Sequence, residues 1–191
     1  ALLERRRRVA RDEVGLVDRL DRFRLEMLDA AERIGAWRLD EDGFGAVAGG
    51  LRKTYRRGRV AFGKACRKPR KARFHEWRKR TKYHWYHLRL LRPVWPPLVE
   101  AAAREAHALA DLLGDEHDLA VLRDTLLSDP EAFGRKRELE ALLGLIGQRR
   151  LELQQRARLQ GARVFEEEPE ALAARFRAYW SAWRRGAEID P

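Results

Sequence analysis

Apolar residues recur at helical spacing along almost the whole chain, and glycine and proline divide them into segments. In the first segment, from Leu2 to Ile34, apolar side chains come every three or four residues, as one face of an amphipathic helix requires. No stretch of useful length alternates apolar and polar residues, which is the pattern of a half-buried strand. The chain therefore predicts an all-α fold, a bundle of long antiparallel helices.

Glycine and proline set the predicted ends of these helices. After the first segment, helices are predicted over about residues 44–67, 71–91, 98–113, 115–127, 130–160 and 166–186. Pro69 separates the second helix from the third, and a proline-rich turn that begins at Pro93 ends the third. Gly114 is predicted to end the fourth helix, and Asp115 to serve as the N-cap of the fifth.

The positive charge of the chain is concentrated in residues 52–92. This stretch holds seventeen Lys and Arg residues, three histidines and a single acid, Glu76. The chain as a whole carries a net charge of +11, so the rest of it is net acidic. A strongly cationic surface on an otherwise acidic protein indicates a polyanionic partner. We therefore predict that residues 52–92 form a basic ligand-binding region.

The third predicted helix carries a row of basic side chains on one face. At about 100° per residue, six side chains fall within an arc of about 100°. This basic row consists of His75, Arg78, Lys79, Lys82, Tyr86 and Arg89. Like charges four residues apart destabilise a helix, so the row indicates an anionic ligand. We predict that His84 is a packed, hydrogen-bonded core residue and that Trp77 and Trp85 belong to the core.

Two motifs in this region resemble the CHAD family, the conserved histidine α-helical domain. The first has the form His-x-x-Arg-Lys-x-x-Lys-x-x-x-Tyr, and it matches His75, Arg78, Lys79, Lys82 and Tyr86. The second is Leu-Leu-Gly-Asp-Glu-His-Asp-Leu-Ala-Val-Leu, from Leu112 to Leu122. The segment Tyr55-Arg-Arg-Gly-Arg59 is also similar to the family. Trp85 departs from the pattern, because the family usually has a basic residue before the tyrosine.

The resemblance implies a single CHAD-like helical domain over residues 1–191, with two halves related by a pseudo-two-fold axis. It also implies binding of inorganic polyphosphate, with a cytoplasmic location and association with polyphosphate granules. Only one helix of the histidine motif is present, because residues 1–50 contain no histidine. The first copy either lies upstream of Ala1 or is absent. Since the chain opens at Ala1 without an initiator methionine, we expect further sequence upstream.

The predicted function is non-catalytic binding of inorganic polyphosphate, with other polyanions as further ligands. Polyphosphate is a flexible chain with about one charge per phosphate, so it requires rows of cations rather than side chains that read bases. The predicted ligand-binding residues are the six residues of the basic row together with Arg52, Arg56, Arg57 and Arg59. The four arginines, one helix earlier, would form a second wall of the same groove.

Other functions remain open at this point. A nucleic-acid-binding helical domain would share the phosphate electrostatics, and competition at equal phosphate concentration would separate the two. A phosphohydrolase would need carboxylate-held Mg²⁺, for which only the cluster from Asp115 to Asp118 is available, and its spacing is typical of helix capping. A scaffold that docks an acidic protein or anionic lipid is a further alternative.

We predict neither a cofactor nor a metal site, and no enzymatic activity. The sequence contains no Gly-rich phosphate loop, no metal-binding His-Glu-x-x-His and no nucleophile elbow. The single cysteine, Cys66, rules out a disulfide framework and is typical of a reducing compartment such as the cytoplasm. No apolar run approaches the length of a transmembrane helix, and we expect no membrane insertion.

Overall fold

The computed structural model consists of helices in two compact units, residues 1–42 and 43–191. The residues that the structure describes are Glu4, Arg5, Arg7, Val9 and the ranges 15–38 and 41–189. In these residues every regular element is an α-helix or a 3₁₀ turn, which confirms the predicted all-α fold class. None of the helices in the described ranges combines the length and apolar character needed to cross a membrane.

The first unit contains helix α1, Leu16–Gly35. The helix follows Gly15, whose φ of 55° is a left-handed conformation that glycine adopts without the steric cost of a Cβ atom. It ends at Gly35, as the sequence predicts. The predicted helix from Leu2 to Ile34 falls partly outside the described residues, which do not include 1–3, 6, 8 and 10–14.

Within the described range 43–189, the second unit is a bundle of five helices joined by short turns. Their bounds are α2 Gly45–Arg67, α3 Lys71–Leu90, α4 Pro96–Ser128, α5 Lys136–Val164 and α6 Pro169–Ile189. Helix α3 packs between α2 and α4, while α4 also packs against α5 and α2 against α6. The ends of α2 and α3 agree with the predicted ends to within one residue, because Pro69 and Pro93 cannot continue a helix.

Helix α4 runs without interruption through Gly114, so the predicted break at this residue is wrong. Asp115 is not an N-cap and lies well inside a helix of 33 residues. A glycine inside a helix costs only about 1 kcal/mol relative to alanine. Packing of α4 against both α3 and α5 outweighs that cost. The carboxylates that follow Gly114 therefore continue the helix faces that begin before it.

The turn before α5 also differs from the prediction. Pro130–Phe133 forms a 3₁₀ turn, and α5 begins only at Lys136. Gly134 lies between them with a φ of 109°, a conformation that side chains with a Cβ atom rarely adopt. Helix α6 has Glu170 in its first turn, where the positive end of the helix dipole favours an acid.

Aromatic side chains from α2, α3 and the turn after α5 fill the centre of the bundle. Trp77 is fully buried, as predicted, and its ring packs against Phe62 with the centroids 5.1 Å apart. Gly161 on α5 allows this packing, because a Cβ atom there would lie 2.4 Å from Cζ2 of Trp77. The Tyr55 hydroxyl donates a hydrogen bond of 3.1 Å to the carbonyl of Val164. These contacts fix the buried side of α3 and direct its other face outward.

A buried carboxylate joins α4 to α5. Glu116 is 1% exposed and accepts hydrogen bonds from the Arg150 guanidinium at 2.6 and 3.1 Å. The Gln154 side chain donates a third hydrogen bond of 2.9 Å. Burial of a charge is tolerated when it is paired and hydrogen-bonded in this way. This pair therefore fixes α4 against α5 at the level of Asp115 and His117.

Candidate functional site

Helix α3 buries one face and presents the other outward. Its buried side chains are Phe74, Trp77, Thr81, His84 and Leu88. The predicted burial of His84 is confirmed, and burial lowers its pKa to about 3, so the ring is neutral. The predicted hydrogen bonding is not observed, since its Nδ1 atom has no partner among the described residues. With this face committed to the core, the opposite face is available for a ligand.

The outward face of α3 carries all six residues of the basic row. The exposed residues of the row are His75, Lys79, Tyr86 and Arg89, and the half-buried ones are Arg78 and Lys82. In the part of the chain that the structure describes, Arg78, Lys82 and Arg89 form no ion pair. The helix thus holds three cations on one face without neutralising them.

Lys79 is the member of the basic row that is neutralised within its own helix. Its Nζ atom lies 3.0 Å from Oε2 of Glu76, and Arg80 donates to the other carboxylate oxygen at 2.6 Å. These hydrogen bonds, first from Lys79 and then from Arg80, hold the pKa of Glu76 below its usual range. Glu76, the single acid of residues 52–92, therefore neutralises one cation of the basic row.

A groove of about 470 Å³ lies between α3 and α4. Its lining side chains are Arg78, Lys82, Trp85 and Tyr86 on α3, and His107, Asp111, Asp115 and Asp118 on α4. We refer to it as the α3–α4 groove. Its volume falls within the usual range for small-molecule sites, and two unpaired cations of the basic row form part of one wall.

The guanidinium of Arg78 lies close to the backbone of α4 at Gly114. A Cβ atom at Gly114 would be 3.5 Å from Nε of Arg78, which is an ordinary van der Waals contact. The Nε atom is buried and has no hydrogen-bond partner among the described residues. Gly114 was predicted to end a helix. In the structure it lies inside α4, next to the guanidinium of Arg78.

The α4 wall of the groove is acidic. This wall was not predicted from the sequence. Asp111, Asp115 and Asp118 follow one another at spacings of four and three residues and line the same groove. Such spacing places side chains on one face of a helix, and it could have been recognised had α4 been read as continuous. In the described structure, Asp115 and Asp118 form no hydrogen bond or ion pair.

Aromatic rings line one end of the groove. Trp85 is half-buried and contacts both Tyr86, at 5.0 Å between centroids, and His107, at 4.4 Å. The guanidinium of Arg89 lies 5.1 Å from the Trp85 ring. His107 is held in place by Asp111, whose Oδ2 atom is 2.8 Å from its Nδ1 atom. Trp85, predicted as a core residue, packs against the core and also lines the groove.

Two histidines meet on the side of the basic row nearest the start of α3. The rings of His75 and His117 have centroids 4.8 Å apart. Burial lowers the pKa of His117, and the nearby His75 and Arg78 act in the same direction. No three His, Cys, Asp or Glu side chains of the described residues are grouped so that they could hold a metal ion.

The arginines of α2 do not form a second wall of the α3–α4 groove, contrary to the prediction. Arg56 and Arg59 form ion pairs with Glu170 and Glu168 at the start of α6, and they line a separate groove there. The hydrogen bond with Glu168 raises the pKa of Arg59. Glu168 and Glu170 draw these two arginines toward the start of α6, so this side of α2 is neutralised and does not reach the α3–α4 groove.

The two other predicted residues of α2 remain unpaired. Arg52 and Arg57 are exposed and form no ion pair within the described ranges. Neither lines the α3–α4 groove. They add positive charge to the surface of the bundle without sharing a defined site with the basic row.

Comparison with known families identifies the chain. Residues 1–127 match the family model of the CHAD domain. The chain belongs to the CHAD domain family. The match covers more than half of the chain and confirms the resemblance seen in the sequence. Searches of curated proteins and of solved structures found no match.

The CHAD match includes both helices that form the candidate groove. Helix α3 lies wholly within it, and so does nearly all of α4, including Asp111, Asp115 and Asp118. Helices α5 and α6 lie beyond its end. The family is associated with polyphosphate-related proteins.

Proposed function

We propose that this CHAD domain is a non-catalytic protein that binds inorganic polyphosphate through the outward face of α3. The observation that carries the proposal is the set of three cations, Arg78, Lys82 and Arg89, that have no carboxylate partner in the described structure. The association of the family with polyphosphate-related proteins supports the same ligand.

The physical basis is the cost of holding like charges together. Arg78 and Lys82 are four residues apart, a spacing at which like charges destabilise a helix. A chain of phosphates brings one negative charge per unit and accepts short, charge-assisted hydrogen bonds from guanidinium and ammonium groups. Binding therefore relieves the repulsion within the basic row, and it releases the counterions that otherwise surround both partners.

The proposed site centres on α3. His75, Arg78, Lys82, Tyr86 and Arg89 provide the contacts, while Lys79 contributes less because Glu76 already neutralises it. Arg52 and Arg57 attract the chain at longer range, and Arg56 and Arg59 contribute little because α6 acids pair with them. In a cell that stores polyphosphate, such a site would bring the protein to the granules.

A titration with long-chain polyphosphate between about pH 5.5 and pH 8 tests this proposal. The pKa of His117 in the free protein lies below its usual range, so the ring is neutral at pH 7. A bound polyanion favours the imidazolium form and raises that pKa. The added affinity is complete below the free-state pKa and disappears as the pH rises through the pKa of the complex.

We expect binding across this range that becomes tighter as the pH falls, by up to roughly tenfold for each unit of pKa change. The His117→Gln variant should bind with a weaker pH dependence. Absence of polyphosphate binding at every pH would refute the proposed function. The same pH dependence in wild type and variant would mean that protonation of His117, beside His75, is not coupled to binding.

A further inference from the structure

The α3–α4 groove has walls of opposite charge, and a bare phosphate chain satisfies only one of them. Arg78 and Lys82 attract phosphates from the α3 side, whereas Asp111, Asp115 and Asp118 repel them from the α4 side. The cations of the basic row and these carboxylates form no ion pair across the groove in the described structure. The space between the walls therefore suits a ligand that offers anions to one wall and donors to the other.

The neutral part of a ligand can donate hydrogen bonds to carboxylates through its hydroxyl groups. An ionised carboxylate is an acceptor only, and an acidic residue that bonds the hydroxyls of a ribose is a recurring arrangement in nucleotide sites. Asp115 and Asp118 have their acceptor oxygens uncommitted in the described structure. A phosphorylated sugar would therefore satisfy the acidic wall as well as the basic one.

The aromatic end of the groove adds a surface for a planar ring. Trp85 and His107 meet at an interplanar angle of 79°, and Tyr86 lies beside Trp85 with 43% of its surface exposed. Stacking of a nucleobase on aromatic side chains is a general, sequence-tolerant way to bind a base. The rings are next to Lys82 and Asp111, so a base there would have both phosphate and sugar contacts within the same groove.

Resting on the proposed function, we propose that the α3–α4 groove binds a nucleoside polyphosphate. The base stacks at Trp85 and Tyr86, the sugar hydroxyls donate to Asp115, and the phosphates extend to Lys82 and Arg78. The groove volume of about 470 Å³ is large enough for such a ligand. Because it also contacts the base and the sugar, the groove selects its ligand more strictly than the remainder of the basic row does.

Calorimetric titration with adenosine triphosphate and with inorganic tripolyphosphate tests the proposal. The two probes have the same number of phosphates, and the inorganic one carries no base and no hydroxyl donors. We expect the nucleotide to bind about tenfold more tightly, although it carries less negative charge. Equal or weaker binding of the nucleotide would overturn the proposal.

Two variants separate the sugar and base contacts from general electrostatics. Asp115→Asn should weaken the nucleotide several-fold and strengthen tripolyphosphate, because it replaces a charged hydroxyl acceptor with a weaker neutral one and removes a repulsive charge. Tyr86→Ser should weaken the nucleotide by a larger factor than tripolyphosphate, because only the nucleotide has a base to stack. The matched control is Glu131→Gln, an exposed acid on the turn before α5, which should change neither affinity. A gain in both affinities with Asp115→Asn would contradict the proposal.

The same titrations distinguish this proposal from the proposed function. Long-chain polyphosphate that binds normally, together with a nucleotide no tighter than tripolyphosphate, would refute the nucleoside site and leave polyphosphate binding intact. Nucleotide binding that depends on Asp115, without any binding of long-chain polyphosphate, would support the groove site and refute the proposed function.

Discussion

Replacement of Arg78, Lys82 and Arg89 by glutamine should reduce the affinity for long-chain polyphosphate by at least about 100-fold. Hydrogen bonds to charged groups contribute roughly 1.5–3 kcal/mol each, and these three cations have no carboxylate partner in the described structure. Glutamine preserves helix propensity and much of the side-chain stem. The affinity is measured by calorimetric titration at a fixed salt concentration.

The fold of this variant should remain intact, because the changes remove repulsion between Arg78 and Lys82 on the same face of α3. We expect the free energy of unfolding to change by less than about 1 kcal/mol, as for most surface substitutions. Circular dichroism during chemical denaturation measures that change. A variant that unfolds would be replaced by the single changes, of which Arg89→Gln disturbs the least buried surface.

A control with the same loss of charge is available. Arg56, Arg59 and Arg92 are each paired with an acid, so their joint replacement by glutamine also removes three positive charges. This control should lose less than about tenfold in affinity, since its cations are already neutralised. An equal loss in both variants would mean that total charge determines binding and that the outward face of α3 is not the site.

The second large effect concerns stability, and Glu116→Ala should lower the free energy of unfolding by about 3 kcal/mol. Removal of one member of a buried ion pair costs roughly 3–5 kcal/mol, because the remaining charge is left without a partner. Here that charge is Arg150, whose side chain is 18% exposed, and we expect the lower end of the range. Urea denaturation gives the change directly.

Glu152→Ala is the matched control on α5. Glu152 forms an exposed ion pair with Arg149 at 3.0 Å, and exposed pairs contribute less than about 1 kcal/mol. The two variants remove the same side chain and differ in burial. Equal losses of stability would contradict the conclusion that the Glu116–Arg150 pair fixes α4 against α5.

The parts of the fold that depend on local rules could be predicted from the sequence. Helix α3 begins and ends where prolines require it, and its buried face follows from helical periodicity. The continuity of α4 could not be predicted, because the cost of Gly114 in a helix is small and the packing that offsets it involves α3 and α5. Asp115 could serve as an N-cap only if a helix began there, and in the structure it lies inside α4.

In the candidate site too, features within one helix could be predicted from the sequence and features that join helices could not. The position of the basic row follows from geometry within one helix, so the sequence was sufficient for it. The pairing of Arg56 with Glu170 joins residues 114 positions apart, and no local pattern indicates it. The acidic wall was missed because the predicted break at Gly114 separated Asp111 from Asp115 and Asp118. The Arg56 pairing and the acidic wall both depend on contacts between helices.

The salt dependence of polyphosphate binding tests the central claim most directly. For a single-stranded polyanion, the logarithm of the affinity falls with the logarithm of the salt concentration by about 0.7 for each phosphate neutralised. We expect a steep dependence for the wild type, and a slope smaller by roughly 2 for the variant without Arg78, Lys82 and Arg89. A flat dependence, or the same slope in both proteins, would contradict the claim that unpaired cations on α3 bind a phosphate chain.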